Sequence, residues 1–173
     1  MLGRRGAAGA FGGAIAAVVA LMTVAGPAAA QNHNAYPVLG NIDLVTGFTP
    51  DPRVFQAPAG GAIDLEKTQL PSDCVGFVSN EPTLQVHYQA GTYPLIFATR
   101  PEDDLDTVLL VRTPDGQWLC NDDSEAEGVE ADITILRPAS GYYDVWVGTY
   151  LPRGAMVPLM LTEEVLGYYE SGW

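Results

Sequence analysis

Cysteine and histidine are scarce in this chain, and their scarcity limits its chemistry. The 173 residues include two cysteines and two histidines, His33 and His87. These are too few thiolate and imidazole ligands to predict a soft-metal site, and too few histidines to predict a Cys nucleophile with its base. Cys74 and Cys120 instead form an even pair, which predicts one disulfide bond in an oxidising compartment.

Long hydrophobic runs are missing after the N-terminus. Residues 1–30 carry a pair of arginines at positions 4 and 5, an apolar stretch at 14–25, and alanines at 28–30 after Pro27. These are the three parts of a secretory signal peptide, with cleavage after residue 30. We therefore expect 31–173 to be a single exported domain, periplasmic or secreted, with no stable membrane insertion.

Basic residues are also few: eight stand against 21 acidic residues, for a formal net charge of −13. Cleavage after residue 30 would remove two basic residues and no acidic one, which leaves six against 21, a net charge of −15. Such a surface repels nucleic acid and anionic lipid head groups. We expect no nucleic-acid partner, and the charge suits either solubility or a preference for cations and basic partners.

Helical periodicity is absent after residue 30, where apolar runs of four to eight residues alternate with Gly, Pro, Asn and Asp. Short strands separated by turns about every ten residues are typical of sandwiches and barrels. The pattern predicts an all-β fold, an antiparallel β-sandwich that is jelly-roll-like. The predicted strands are 41–45, 53–56, 61–65, 76–79, 84–89, 93–99, 107–113, 117–121, 133–137, 142–149 and 156–162.

Alternation within the strands assigns side chains to faces. In 143–147 it places residues 143, 145 and 147 on one face and Asp144 and Trp146 on the other, which we expect to be wetted. Residues 108–111 are apolar throughout, which predicts a central strand covered on both faces. Trp146 is therefore the best candidate for a ligand-binding surface residue. The neighbouring aromatics Trp118, Tyr142, Tyr143 and Tyr150 could belong to a sugar- or peptide-binding platform, but core packing and cross-strand pairing are the favoured interpretation for them.

Four stretches carry a resemblance to known proteins: 47–52 (GFTPDP), 74–78 (CVGFV), 114–123 (PDGQWLCNDD) and 140–150 (SGYYDVWVGTY). They resemble a group of small exported proteobacterial proteins often labelled trypsin-like peptidases, and their pattern is similar to the bacterial pre-peptidase C-terminal domain. That domain is a non-catalytic β-sandwich appended to secreted proteases, and some related collagen-binding modules use calcium. Peptidase activity is not expected, because no Gly-rich nucleophile turn of the trypsin type occurs.

Two acidic clusters flank the hairpin that strands 107–113 and 117–121 are predicted to form. Asp104 and Asp106 precede its first strand, and Asp122 and Asp123 follow its second. A hairpin would bring the two clusters together at its open end, and Ca²⁺ prefers oxygen ligands from such loops. The four aspartates are therefore predicted to bind Ca²⁺. Solvated loop charges that discourage aggregation are the alternative.

The resulting functional hypothesis is an exported, non-catalytic β-sandwich, a binding or accessory module of the cell envelope. It would bind a protein or a glycan and require no cofactor other than Ca²⁺. The alternative is a small secreted hydrolase, a peptidase or a glycosidase, that uses the loop carboxylates as acid and base.

Overall fold

The computed structural model describes residues 31–102, 104–124, 126 and 130–166, so the predicted signal peptide lies outside the described residues. Within those ranges no helix is long and apolar enough to cross a membrane. The described chain forms eleven strands and a short 3-10 helix, Leu65–Lys67. The strands are β1 (Asn41–Val45), β2 (Arg53–Ala59), β3 (Ile63–Asp64), β4 (Phe77–Val78), β5 (Leu84–Gln89), β6 (Leu95–Thr99), β7 (Thr107–Arg112), β8 (Trp118–Asn121), β9 (Asp132–Ile135), β10 (Gly141–Thr149) and β11 (Ala155–Thr162).

The strands form two sheets that pack as a sandwich, which confirms the predicted fold class. Sheet A holds β1, β5, β10, β7 and β8, with the short β3 and β4 attached near the end of β10, and sheet B has the order β2-β11-β6-β9. The predicted antiparallel pairing is wrong for one pair, because β1 runs parallel to β5. Parallel neighbours need a long crossover, and β2, β3 and β4 lie between these two strands in the chain. The jelly-roll arrangement stays a prediction.

Most strands differ from their predicted bounds by one to three residues, and two of the differences have clear local reasons. The strand predicted at 93–99 begins at Leu95, because Pro94 has no N–H to donate to a ladder. The strand predicted at 61–65 ends at Asp64, whose side chain accepts a hydrogen bond from the N–H of Glu66 at 3.2 Å and starts the 3-10 helix.

The main core lies between the sheets and confirms the predicted alternation. Along β5 and β10 every second side chain points inward, and the ring of Tyr143 lies 6.0 Å from the ring of Phe97 on sheet B. A large apolar side chain contributes about 1.5–3 kcal/mol when it is fully buried, so this layer is the main source of stability. The inward residues of sheet A include Leu84, Val86, Tyr88, Leu109, Val111, Tyr143, Val145 and Val147.

A second, smaller core lies on the outer face of sheet A. The segment 63–78, here called the cover, places Leu65 and Cys74 against the outward side chains of β7 and β10. A disulfide bond between Cys74 and Cys120 ties the cover to β8, with the two Cα atoms 5.2 Å apart. The predicted disulfide is confirmed, and so is the prediction that 108–111 is buried on both faces.

The cover overturns the prediction for Trp146. The alternation assigns this residue correctly to the outer face, but its side chain is fully buried under the cover and lies 5.3 Å from the ring of Trp118. A period of two tells which face a side chain occupies and not what lies over that face. Trp146 is therefore a core residue and not a ligand-binding surface.

Candidate functional site

The cover hides only part of the outer face of sheet A. The remaining part, here called the open half, carries polar and aromatic side chains from β1, β5, β10 and β7. The pairing registers of these strands align the side chains in two rows that run across the sheet. The first row is Asp43, His87 and Tyr142, and the second is Asn41, Gln85, Asp144 and Arg112.

The first row is a chain of three side chains that hold one another. The Oδ1 of Asp43 lies 2.8 Å from the Nδ1 of His87. One face of this imidazole stacks on the ring of Tyr142. The two ring centroids are 4.6 Å apart, and the ring planes make an angle of 23°. Tyr142 is 55% exposed. An aromatic ring that is stacked on one face is thus presented to solvent.

The second row is built around a buried carboxylate. Asp144 is only 3% exposed, although it lies on a face without a full cover. Its Oδ1 accepts a hydrogen bond from the Nε2 of Gln85 at 2.7 Å, and its Oδ2 lies 3.9 Å from the Nη1 of Arg112. The carboxylate therefore orients a planar amide and a planar guanidinium at the surface.

An Asp–His pair also occurs in hydrolases, where the carboxylate orients the imidazole as a base. Such a base needs a nucleophile within hydrogen-bond distance. Among the described residues no Ser, Thr or Cys side chain hydrogen-bonds to His87, and Tyr142 occupies one side of its ring.

The acidic residues lie where the hairpin predicts. β7 and β8 pair antiparallel, with Leu109 opposite Asn121, so the residues before β7 and after β8 meet at the same end. The Asn121 side chain donates hydrogen bonds to the carbonyl oxygens of Asp123 and of Asp132, the latter at 2.8 Å. This amide ties the loop after β8 to the start of β9 on the other sheet.

Two of the acidic side chains have pKa values that are raised by burial and by neighbouring negative charges. Burial and then the charges of Asp122 and Asp123 raise the pKa of Asp106 above its usual range. Burial and then the charges of Asp106, Asp104 and Asp123 raise the pKa of Glu130. Within the described ranges, however, no three His, Cys, Asp or Glu side chains form a group that could hold a metal ion. The Ca²⁺ site stays a prediction.

The sequence analysis missed a second polar cluster, at the end of the sandwich where β11 stops. Glu163 follows β11 and is 8% exposed, beside a cleft of about 270 Å³ that Asp51 and Tyr93 also line. Its carboxylate accepts hydrogen bonds from the hydroxyl of Tyr88 at 2.5 Å and from the N–H of Gly47 at 2.6 Å. The alternation along β5 puts Tyr88 on the same face as Leu84 and Val86, but it carries no signal for a polar partner 75 residues away.

Comparisons with protein-family models, with curated proteins and with solved structures found no match to this chain. The resemblance to the pre-peptidase C-terminal domain therefore stays a prediction that rests on four short sequence stretches. The function must be argued from the described residues themselves.

Proposed function

We propose that this protein is an exported, non-catalytic binding or accessory module of the cell envelope, periplasmic or secreted. Its binding surface is the open half of sheet A. The disulfide bond ties the cover to the sheet. On the open half, contacts between neighbouring side chains restrict the orientation of those side chains before a ligand binds. Preorganised side chains lose little conformational entropy when a ligand binds.

The observation that supports this proposal most is the first row. Exposed side chains on a sheet are usually free to rotate, whereas Tyr142 is held by His87, which is held in turn by Asp43. Cross-strand contacts of this kind also stabilise the sheet. A purely stabilising role would not require that the ring remain more than half exposed.

The acidic end of the β7–β8 hairpin supports a Ca²⁺-binding role as a second feature of the same module. Asp106 and Glu130 both have raised pKa values, for which burial is the first cause and neighbouring negative charges the second. A bound cation would relieve that repulsion. The site lies at the hairpin's open end, away from the turn at Thr113 that borders the first row.

A sedimentation assay with isolated cell envelopes tests the binding role. The mature protein should sediment with envelopes, and Tyr142→Ala should reduce the bound fraction several-fold. Tyr150→Ala is the matched control, because Tyr150 is 46% exposed but follows β10 at the other end. Equal binding by Tyr142→Ala and the parent would contradict the proposal. So would turnover of peptide or glycoside substrates that disappears in Asp106→Asn or Asp122→Asn.

A further inference from the structure

We propose that the open half of sheet A binds a neutral glycan and that Tyr142 is the platform on which one sugar ring stacks. This inference rests on the proposed binding role and adds the chemical class of the ligand. Three features of the open half support this inference. They are an aromatic ring stacked on its neighbour, planar polar groups beside that ring, and the negative charge of the surrounding surface.

The first feature is the exposed face of Tyr142. A pyranose ring has an apolar face of C–H groups, and an aromatic ring of fixed orientation is a suitable surface for it. His87 stacks on Tyr142 with ring planes only 23° apart, so the two rings form an almost parallel pair. Asp43 binds the imidazole from the other end of the row and limits its rotation.

The second feature is the polar row beside the rings. Gln85 and Arg112 are oriented by the buried Asp144, and each still has donor atoms beyond those that face this carboxylate. Sugar hydroxyls both donate and accept hydrogen bonds, and planar amide and guanidinium groups can pair with two adjacent hydroxyls. Asn41 extends the same row by one strand.

The spacing of the two rows fits this ligand. Tyr142 and Asp144 are two residues apart on β10, as are His87 and Gln85 on β5, so the rows lie roughly 7 Å apart along the strands. This distance is comparable to the width of one sugar ring. Because His87 covers the face of Tyr142 towards β5, a sugar ring would stack on the face towards β7, with its edge hydroxyls near Arg112 of the second row.

The third feature is charge. The sequence from residue 31 onward carries an excess of acidic over basic residues, and Asp43 is itself part of the open half. An anionic polymer would be repelled by the whole molecule. A flat, polar and aromatic surface without a deep apolar pocket also differs from the groove that an amphipathic peptide helix requires. A neutral glycan would not be repelled by the negative charge, and it would not need an apolar groove.

Affinity electrophoresis tests the inference. The mature protein is run in native gels that contain dextran, laminarin, glucomannan or hydroxyethyl cellulose, with alginate as the anionic comparison and oligolysine as the basic one. At least one neutral polysaccharide should retard the parent protein. Tyr142→Ala should weaken that binding roughly tenfold or more, because the variant lacks the ring on which the sugar stacks. Tyr142→Phe should retain it, and Tyr150→Ala is again the matched control.

The outcomes separate the ligand class from the binding role. If Tyr142→Ala loses envelope binding but none of the neutral polysaccharides retards the parent, the glycan is the wrong class and the binding role remains. Retardation by oligolysine or by alginate that depends on Tyr142 overturns the inference in favour of a charged ligand. If Tyr142→Ala and the parent are retarded equally, the open half is not the glycan surface. Equal melting temperatures of all variants exclude unfolding as the cause.

Discussion

Glu163 is a carboxylate buried at the end of the sandwich and satisfied by two neutral donors. The Tyr88 hydroxyl and the Gly47 N–H both bind it, and its own N–H donates to the Oδ2 of Asp51 at 3.1 Å. Among the described residues no Lys or Arg forms an ion pair with Glu163. Hydrogen bonds to a buried charge contribute more than neutral ones, so Tyr88 holds the end of β11 to β5.

Tyr88→Phe should therefore destabilise the protein without a change of shape. Removal of the hydroxyl leaves one oxygen of Glu163 without its donor, which costs about 1–3 kcal/mol of the free energy of unfolding. Urea unfolding at pH 7 measures this loss. Tyr142→Phe is the control, because no hydrogen bond of that hydroxyl to a described residue is present.

Tyr88→Phe should also differ from the parent in how its stability changes at alkaline pH. Burial, and then the hydrogen bond to Glu163, raise the pKa of Tyr88 to about 12. A phenol in the unfolded chain ionises near pH 10, at about its usual pKa. The folded state therefore holds the proton longer, and this stabilisation is complete below pH 10 and disappears as the pH rises through about 12. Tyr88→Phe should lose less stability than the parent between these two values. Parallel curves would contradict the raised pKa of Tyr88.

At the scale of elements, the strands were predictable because each carries its own period and its own turn signals. The turn between β7 and β8 is an example: Gly116 has φ +85° and donates to the carbonyl of Thr113 at 2.9 Å, as Pro114 and Gly116 suggest. The cover was harder to predict, because its contacts are between residues far apart in the chain. The one available signal was the cysteine pair, since Cys120 lies on β8 and a bond to Cys74 must bring that loop against the sheet.

The acidic end of the β7–β8 hairpin yields a prediction for melting scans. Ca²⁺ at a hundredfold excess over its dissociation constant would add about 2.7 kcal/mol of stability, which raises the melting temperature by several degrees relative to EDTA. Asp122→Asn should abolish that shift. In EDTA at pH 7, Asp106→Asn should melt at the same temperature as the parent or higher, since a carboxyl with a raised folded pKa stabilises only below its unfolded pKa of about 4.

The control for this experiment is Asp115→Asn. Asp115 lies in the turn at the opposite end of the hairpin, where the Thr113 hydroxyl is the first cause that lowers its pKa. This variant should keep the full Ca²⁺ shift. Identical melting curves of the parent in EDTA and in millimolar Ca²⁺ would leave the four predicted aspartates as solvated charge.

At the scale of the whole molecule, the open half of sheet A could be predicted only in part, because its side chains come from strands that are far apart in the sequence. The alternation along β5 puts His87 on the face opposite Leu84, Val86 and Tyr88, and in the structure its side chain is 41% exposed. The sequence pattern did not place Asp43 beside that ring, because β1 pairs parallel with β5 and no hairpin signal links them. The expectation that Asp144 is wetted is wrong, because partners from the two neighbouring strands, Gln85 on β5 and Arg112 on β7, help to bury its side chain.

The cover makes the disulfide important for the stability of the whole domain. The bond closes a loop of 46 residues, and the chain-entropy model assigns such a closure about 4 kcal/mol of stability. The double variant Cys74→Ala and Cys120→Ala should lose about that much in urea unfolding. It should also loosen the cover over Trp146, so that acrylamide quenches the tryptophan fluorescence more strongly than in the parent.

Protein recovered from the periplasm tests the same bond together with the predicted export. Its intact mass should correspond to a chain that begins at Gln31 and is two hydrogens lighter than its reduced form. Reduction of the parent should reproduce the stability and the quenching of the double variant, since both remove the same link between the cover and β8. Free thiols in the exported protein would contradict the prediction of an oxidised domain. If quenching is unchanged in the double variant, packing of Leu65 and its neighbours alone holds the cover in place.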